Sequence, residues 1–513
     1  MSAEKLLKRF QIMIAEIPLS KPLLDRINPH WHGAFELNRD YVIEYIKAPK
    51  LLMWSRFDLA AKTLLAKSIR KGRNVEWAKA VYHEHLFCWS GGGFVESDGS
   101  GKSGFEAYYE TFCEILEQMG CAGFDSEKSL IPVSSDGVIH DGAHRTAAAI
   151  ELGIVVPTVA TDREARVYDY RFFQRCGMRD CYLDAMALEF CERSEDSFIA
   201  FLFPVEGRDD TRAIECLKKA GSIYYDRILE LTRNGVHNLV AQLYRGEPWL
   251  GTAANGFAGT DSHVKNRFIE GQGVRCIFFQ TDDIEKVVRA KKEIREMYGN
   301  GNYPVHVNDT YGEALRVGRQ ILNANGRHFL NYGRPAQFRE MHQRLEDFRY
   351  AIESNNLDPH DYIVDSSSVM ALYGLRKAND LDYLHIGDAL VGLSPDFQSH
   401  NDELKYYGYN LDQILTDPQH YFFYDGVKVA SLALVADMKQ RRCEAKDLRD
   451  IEIINRINVP DGWSRRVRTQ MQYFIRTLPH RFSKIRLRFF RLIPSGIQPL
   501  AKKTYRTLFK RGE

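Results

Sequence analysis

The chain has 513 residues, of which 44% are hydrophobic and 27% are charged. A single hydrophobic core does not grow to this size, so several domains are expected, and the composition excludes global disorder. Nine cysteines without a Cys-x-x-Cys pair favour neither a zinc knuckle nor a disulfide framework, and they suit a reducing cytoplasm. No apolar run approaches the ~20 residues that span a bilayer, and no signal peptide is expected at the N-terminus.

The first part of the chain, to about residue 125, is predicted to be mainly helical, with helices at 58–69 and 104–119. From residue 129 the pattern changes, and short strands surround one helix that ends at Gly153. These elements are predicted at 130–133, 138–140, 146–152 and 155–159.

The run Asp141-Gly142-Ala143-His144-Arg145 lies just before that helix. Gly142 readily adopts a positive φ, and the N–H groups of the helix start, with His144 and Arg145, predict an anion pocket. The run resembles the Gly-x-His-Arg or Gly-Glu-Arg-Arg turn that the ParB/sulfiredoxin-like fold places at a nucleotide phosphate. This resemblance covers about residues 125–165 and implies that Asp141, Gly142, His144 and Arg145 bind phosphate. Some members of that family are kinases of small hydroxylated molecules and others bind DNA; the alternative is a helix that His144 and Arg145 only brace.

Residues 196–325 show the element order of a β-α-β-β-α-β sandwich with insertions, which is the ferredoxin-like arrangement. Strands are predicted at 198–203, 222–229 and 274–280, and helices at 211–220, 235–244 and 284–298.

The run from Val305 through His306 to Thr310 resembles the active-site strand of nucleoside diphosphate kinases, which reads His-Gly-Ser-Asp. The resemblance implies that His306 is the phosphorylated histidine. Phe203 and Pro204 stand where that family supplies a lysine for the phosphate, and Val307 replaces its glycine. The loss of a counter-ion for developing phosphate charge favours a retained fold with lost activity.

The C-terminal half contains a pair of carboxylates on one predicted strand. A buried strand at 362–365 leads into Ser366, Ser367 and Ser368, a helix at 369–377 and a returning strand at 379–384. Asp380 and Asp382 are two residues apart on that strand, so both side chains project from the same face. Clustered carboxylates favour Mg²⁺, which brings nucleotide phosphates with it, and the serines offer hydroxyl and N–H groups to those phosphates.

Ser367-Ser368, eleven further residues and then Asp380-Leu381-Asp382 resemble the signature of the nucleotidyltransferase superfamily (polymerase β-like). The resemblance covers residues 325–458 and implies a nucleoside triphosphate with Mg²⁺ or Mn²⁺ held by Asp380 and Asp382 for in-line transfer. Ser367 stands where the family has glycine. For the third family carboxylate we select Asp425, which ends a strand at 420–424. The alternative is that Asp-x-Asp forms a solvated turn.

The last fifty residues are strongly basic: residues 464–513 hold fourteen Lys and Arg and one acidic residue. Apolar residues at mixed spacings of three and four predict amphipathic helices there. Cationic, aromatic-rich helices suit an anionic membrane surface. Nucleic-acid phosphates and docking on the acidic body of the protein are the alternatives that remain open.

The predicted fold is therefore a multidomain α+β and α/β chain. Its units are residues 1–190 (helices with a ParB/sulfiredoxin-like domain), 196–325 (ferredoxin-like), 326–460 (nucleotidyltransferase-like) and 464–513 (basic amphipathic tail). The combination resembles multidomain proteins of bacterial surface-polysaccharide gene clusters. That resemblance implies a Mg²⁺-dependent nucleotidyl- or phosphoryltransferase acting on a sugar or polyol, cytoplasmic or peripheral at the inner face of the membrane. Two alternatives are a non-catalytic nucleotide-binding scaffold at the membrane and, ranked last because no recognition helix is evident, a ParB-like nucleic-acid binder.

Overall fold

The computed structural model describes residues 22–36, 39–95, 102–299, 301–390 and 394–458. It is a mixed α+β structure, 53% helical, with three small sheets of mixed strand orientation. This confirms the predicted mixture of α and β structure. The amphipathic helices predicted at 464–513 lie outside the described residues. No helix in the described ranges is both long enough and apolar enough to cross a membrane.

The strands, in chain order, are β1 Ile43–Lys47, β2 Ile131–Val133, β3 Val155–Ala160, β4 Ser197–Leu202, β5 Ser222–Leu229, β6 Val274–Gln280, β7 Val305–Val307, β8 Tyr362–Val364, β9 Leu381–His385, β10 Phe397–Ser399, β11 Tyr421–Tyr424 and β12 Val427–Ala430. The α-helices are α1 Asp58–Lys71, α2 Val75–Trp89, α3 Phe105–Ala122, α4 Ala143–Leu152, α5 Tyr170–Arg175, α6 Asp180–Arg193, α7 Asp210–Ala220, α8 Arg233–Leu243, α9 Thr260–Arg267, α10 Ile284–Tyr298, α11 Tyr311–Ile321, α12 Ala324–Tyr332, α13 Arg339–Ser354, α14 Ser366–Leu372, α15 Leu411–Thr416, α16 Leu432–Arg442 and α17 Ala445–Asn458. Short 3-10 helices lie at Leu23–Arg26, Pro29–Ala34, Ala48–Leu51, Pro248–Leu250, Ala253–Asn255, Pro359–Asp361 and Asn401–Tyr406.

The first sheet has the strand order β1-β3-β2, with β3 antiparallel to β1 and parallel to β2. Helix α1 is buried along most of its length and packs against α2, α4 and α6. Gly142, with a φ of 78°, precedes α4, and a Cβ there would lie 2.2 Å from Cδ1 of Ile131. The predicted positive φ at Gly142 is therefore confirmed, and the close approach of β2 adds a second reason for glycine.

The second sheet has the order β5-β6-β4-β7, and all of its neighbouring strands are antiparallel. Helices α7 and α10 pack together and share one hydrophobic cluster with this sheet. The aromatic rings on the sheet's other face join the core of the N-terminal helices; Phe57 and Tyr225, for example, have ring centroids 6.2 Å apart. A single apolar core thus continues from α1 to β6, and the division predicted between 190 and 196 stays a prediction.

The third sheet has the order β10-β9-β8-β12-β11. The central strand β8 is antiparallel to β9 and parallel to β12, while β10 runs parallel to β9 at the edge. Strands β11 and β12 form a hairpin whose two-residue turn is Asp425-Gly426, with φ values of 54° and 82°. Two positive φ angles at Asp-Gly are the signature of a type I′ turn, which matches the twist of the hairpin.

Most predicted elements are confirmed within one to three residues, including the strands at 222–229 and 274–280 and the helix at 284–298. Two predictions were wrong in detail. The segment 138–140 makes only an isolated bridge between Ile139 and Val133. The helix predicted at 369–377 lies earlier, at Ser366–Leu372, because Gly374 with a φ of 73° closes its last turn.

Candidate functional site

Three neighbouring strands of the third sheet bring charged side chains together. Asp365 directly follows β8, Asp382 lies on β9, and His400 directly follows β10. The main chain fixes the first two, since the N–H of Asp365 donates to the carbonyl oxygen of Asp382 over 2.8 Å. The N–H of His400 donates to the carbonyl oxygen of Tyr383 over 2.8 Å, which fixes the third. These three residues, with Asp380 and Ser367, are called the carboxylate cluster below.

The imidazole of His400 lies between two carboxylates. Its Nε2 is 2.9 Å from Oδ1 of Asp382, and its Nδ1 is 3.7 Å from Oδ2 of Asp365. Burial opposes the charged imidazolium, but the interactions with Asp365 and Asp382 outweigh it and raise the pKa of His400 to about 10. His400 is therefore a cation at neutral pH.

Asp365 is completely buried and is held from two sides. The hydroxyl of Tyr407 donates to Oδ2 of Asp365 over 2.5 Å, and His400 approaches the same oxygen. The other oxygen, Oδ1, has no hydrogen-bond partner among the described residues. A buried carboxylate oxygen without a donor is costly, so the arrangement leaves this end of the cluster short of one hydrogen bond.

The three serines do not share one environment. Ser367 is partly exposed, and its hydroxyl donates to Oδ2 of Asp382 over 3.0 Å. Ser368 is buried, and its hydroxyl accepts from the N–H of Asp382 over 2.9 Å. Ser366 is also buried and has a φ of 52°, in the left-handed region. The position that favours glycine is therefore Ser366 rather than Ser367, and only Ser367 presents a hydroxyl at the surface of the site.

Asp380 is the partly exposed member of the carboxylate cluster. Burial and the neighbouring charge of Asp382 raise its pKa. A divalent cation would relieve that repulsion, and Mg²⁺ commonly takes one or two protein carboxylates together with waters and substrate phosphates. Asp380 and Asp382 fit this requirement. Across the described ranges, no group of three or more His, Cys, Asp or Glu side chains is arranged to hold a metal ion by itself.

Asp425 lies at the opposite end of the sheet. It precedes β12, which runs parallel to β8 with Val429 opposite Val364, so Asp425 lies where β8 begins, whereas Asp365 lies where β8 ends. Its Oδ1 forms an ion pair with Nη1 of Arg245 over 2.9 Å, and burial raises its pKa. The predicted grouping of Asp425 with Asp380 and Asp382 is therefore corrected, because the direction of β12 places Asp425 at the other end of the sheet.

The loop before α4 keeps Asp141 and Arg145 together, with 3.7 Å between Oδ2 of Asp141 and Nη2 of Arg145. His144 instead turns towards α2 and α3. Its Nε2 is 2.7 Å from the hydroxyl of Tyr82, and its ring centroid is 5.1 Å from that of Phe112. Burial, followed by the charges of Lys62 and Lys102, holds the pKa of His144 well below its usual range. The structure thus places a neutral His144 beside aromatic rings, while Asp141 and Gly142 lie in the loop and Arg145 lies in the first turn of α4.

His306 lies on β7 and is almost fully buried. Its Nε2 is 3.0 Å from Oε1 of Glu313, and its ring centroid is 4.7 Å from that of Tyr244. Burial lowers the pKa of His306, although Glu313 opposes that shift. The imidazole is therefore held in place by a carboxylate and enclosed by aromatic rings.

Arg267, at the end of α9, is the functional candidate near His306 that the sequence did not indicate. Its guanidinium is fully buried and lies 4.3 Å from the ring centroid of Phe203. Phe203 directly follows β4, at the position where the sequence resemblance to nucleoside diphosphate kinases would require a lysine. Nη2 donates to the hydroxyl of Tyr244 over 2.8 Å, whereas Nε and Nη1 have no partner among the described residues. Burial lowers the pKa of Arg267. A buried guanidinium without a carboxylate partner is costly to the fold.

Comparisons with protein-family models, with curated proteins and with solved structures give no match for this chain. The candidate sites therefore stand on their geometry and on the resemblances of the sequence motifs.

Four residues that the structure brings to these sites were missed in the sequence: Asp365, His400, Tyr407 and Arg267. One signal was present for His400, because a polar side chain directly follows a short strand that comes after Asp-x-Asp. No sequence pattern indicated that Arg267 would be buried.

Proposed function

We propose that this protein is a nucleotidyl- or phosphoryltransferase whose active site is the carboxylate cluster. The observation that carries the proposal is the convergence of Ser367 and His400 on the buried Asp382, next to the partly exposed Asp380. Titratable groups that perturb one another's pKa cluster preferentially at functional sites, and the partly exposed Asp380 and Ser367 leave this cluster open to a ligand. The sequence resemblance to the nucleotidyltransferase superfamily supports the same assignment.

Each residue of the cluster has a role in this proposal. Asp380 and Asp382 would hold Mg²⁺ or Mn²⁺, which polarises the phosphate and activates the acceptor hydroxyl when it is bound. The Ser367 hydroxyl fixes the rotamer of Asp382. Asp365 and Tyr407 position His400, whose positive charge lies close to the place where substrate phosphates would add negative charge.

We propose a sugar or polyol as the acceptor, in the synthesis of bacterial surface polysaccharide, and a cytoplasmic or inner-membrane-surface location. These assignments rest on the resemblance to multidomain proteins of surface-polysaccharide gene clusters. The antiparallel order β5-β6-β4-β7 supports the ferredoxin-like assignment of the middle sheet, and the resemblance to nucleoside diphosphate kinases rests on the sequence around His306. The glycine turn before α4 supports the ParB/sulfiredoxin-like assignment.

The test uses the full chain with each of the four common nucleoside triphosphates, with and without MgCl₂ or MnCl₂. Thermal shift reports binding and pyrophosphate or phosphate release reports turnover. We expect a metal-dependent rise in Tm and turnover in the wild type, both lost in Asp380→Asn and Asp382→Asn. Asp388→Asn is the matched control, because Asp388 is an exposed carboxylate in the same part of the chain. If no triphosphate changes the Tm of the wild type, the active-site assignment is wrong.

A non-catalytic nucleotide-binding scaffold is the second candidate, and the position of His400 favours it. The imidazolium already compensates Asp382 and Asp365, so part of the space for a cation is filled by the protein itself. This candidate predicts that a triphosphate raises the Tm of the wild type without turnover under any metal condition. It also predicts that Asp388→Asn and the wild type remain indistinguishable in both measurements.

A further inference from the structure

A cavity of about 660 Å³ lies where three parts of the chain meet. Helices α1 and α6 form one wall, α11 and the start of α12 form the second, and the β11-β12 hairpin with α15 and α16 forms the third. Its volume falls within the range of about 300–1,000 Å³ that is typical of small-molecule sites. None of the residues of the carboxylate cluster lines it, so the cavity is separate from the proposed active site.

Hydrogen bonds and ion pairs between the three walls fix the shape of this cavity. Arg319 on α11 forms an ion pair with Glu192 on α6 over 3.0 Å. The side-chain amide of Asn323 donates to the carbonyl oxygen of Tyr421 over 3.0 Å. Arg73, after α1, bonds to Asp412 on α15 over 3.0 Å. The cavity is therefore preformed, which reduces the ordering cost of binding.

Ion pairs hold several of the charged side chains that line the cavity. Lys67 pairs with both Glu189 and Glu192, and Arg319 pairs with Glu192. Lys428, on β12, makes no ion pair within the described part of the chain, although its side chain is only 2% exposed and lines the same cavity. Lys428 is thus a buried cationic side chain of the cavity wall that lacks a salt-bridge partner, and Asp358 and Asp361 act on its charge only from beyond ion-pair distance.

The ammonium group of Lys428 is held by neutral groups alone. Its Nζ donates to the carbonyl oxygens of His360 over 2.8 Å and Leu415 over 2.5 Å, and it lies 4.6 Å from the ring centroid of Tyr421. An ammonium has three donors, so one N–H remains for a group in the cavity. Burial, with a contribution from Arg73, lowers the pKa of Lys428 to about 7. An anion beside Nζ would restore the charged form and remove this penalty.

We propose that this cavity binds a small organic anion whose carboxylate or phosphate contacts Lys428. Nearby donors on Lys67, Arg319 and Tyr421 surround the remaining space, so a polar body of about hexose size fits the cavity better than an inorganic ion. Lys428 would favour any anionic oxygen group, and the test below distinguishes a carboxylate ligand from a phosphate ligand.

The test measures Tm of the full-length protein by differential scanning fluorimetry with glucose phosphate, gluconate, inorganic phosphate and uncharged glucose. We expect glucose phosphate or gluconate to raise the Tm of the wild type by about 2 °C at saturation, whereas glucose and inorganic phosphate do not. Whichever of the two hexose anions acts identifies the anionic group. Lys428→Met should abolish the shift. Lys405→Met is the matched control, because Lys405 also lies over a tyrosine ring, 5.1 Å from the centroid of Tyr406, but is exposed and outside the cavity.

Calorimetry on the wild type keeps the test decisive if Lys428→Met does not fold. Binding of the hexose anion at pH 8 should take up a proton, so the apparent enthalpy should depend on the ionisation enthalpy of the buffer. The proposal is overturned if neither hexose anion binds the wild type, if Lys428→Met keeps the shift, or if the enthalpy is the same in every buffer. An equal response to inorganic phosphate would also overturn it, since the proposed ligand has an organic body.

Discussion

Ser366, which lies between Asp365 and Ser367 of the carboxylate cluster, has a strained backbone conformation. Its φ of 52° lies in the region that residues with a Cβ avoid at a cost of about 1–2 kcal/mol. The residue is buried directly after Asp365, so the surrounding fold holds it there. Strain of this kind is commonly retained where it positions a functional side chain, and the neighbour in this case is Ser367, which holds Asp382.

Ser366→Gly should therefore stabilise the protein. We expect the free energy of unfolding to rise by about 1 kcal/mol, because the left-handed conformation carries no steric cost for glycine, partly offset by the greater entropy of the unfolded chain. Urea unfolding measures this change. Ser367→Gly is the control, since Ser367 has no positive φ, and it should not stabilise. A loss of stability in Ser366→Gly would contradict the assignment of strain to this residue.

At the scale of elements, the sequence predicted most strands and helices because their apolar spacing and end signals are local. The pattern identified β5, β6 and α10 with their correct bounds. It also predicted Asp380 and Asp382 on one strand from side-chain alternation, which is local information; in the structure Asp382 lies on β9 and Asp380 directly precedes it. The contacts of Asp365, His400 and Tyr407 could not be predicted in this way, because they depend on which strands become neighbours. For Asp425 the preceding strand was predicted correctly, but the end of the sheet at which Asp425 lies was not. That end depends on the direction of β12, which the sequence pattern does not indicate.

The start of α4 offers a prediction at this scale. Gly142→Ala should lower the free energy of unfolding by about 2–4 kcal/mol, because alanine suffers both the positive φ and a clash with Ile131 on β2. Gly137→Ala is the matched control: Gly137 also has a positive φ, of 82°, but nothing lies within 4 Å of its added Cβ. We expect the control to cost only about 1–2 kcal/mol. Equal losses in the two variants, measured by chemical unfolding, would show that contact with β2 does not set the start of this helix.

Several histidines in the described part of the molecule are buried or partly buried, and their pKa is lowered. Burial acts on His85, His144 and His306, and it lowers the pKa of His263 to about 4 and that of His360 to about 3. Below about pH 6.5 the unfolded chain binds protons at these positions, whereas the folded chain does not. The contribution of these neutral histidines to the free energy of unfolding is therefore present above about pH 6.5, and it is lost as the pH falls towards 4.

We therefore expect the free energy of unfolding to decrease from pH 6.5 to pH 4, by up to about 1.4 kcal/mol per pH unit for each of these histidines. Chemical unfolding over this range measures the slope. His263→Gln should reduce the slope, while His30→Gln should leave it unchanged, because His30 is exposed. An unchanged slope in His263→Gln would show that His263 is protonated in the folded protein.

Helix α12 contains two successive residues that belong to different hydrophobic cores. Phe329 packs with the third sheet, while Leu330 packs with the core of the N-terminal helices and the second sheet. Asn323 caps this helix, accepting from the N–H of Asn325 over 2.8 Å, and its side-chain amide also donates to the carbonyl oxygen of Tyr421.

A fragment that begins at residue 326 would consequently lose this cap and the tie to β11, and it would expose Leu330 to water. In such a fragment the start of α12 would fray, and its exposed apolar face would promote self-association. The last third of the protein should therefore be produced with residues preceding Asn323. Even then, Leu330 would lack the core of the N-terminal helices and the second sheet that covers it in the full chain.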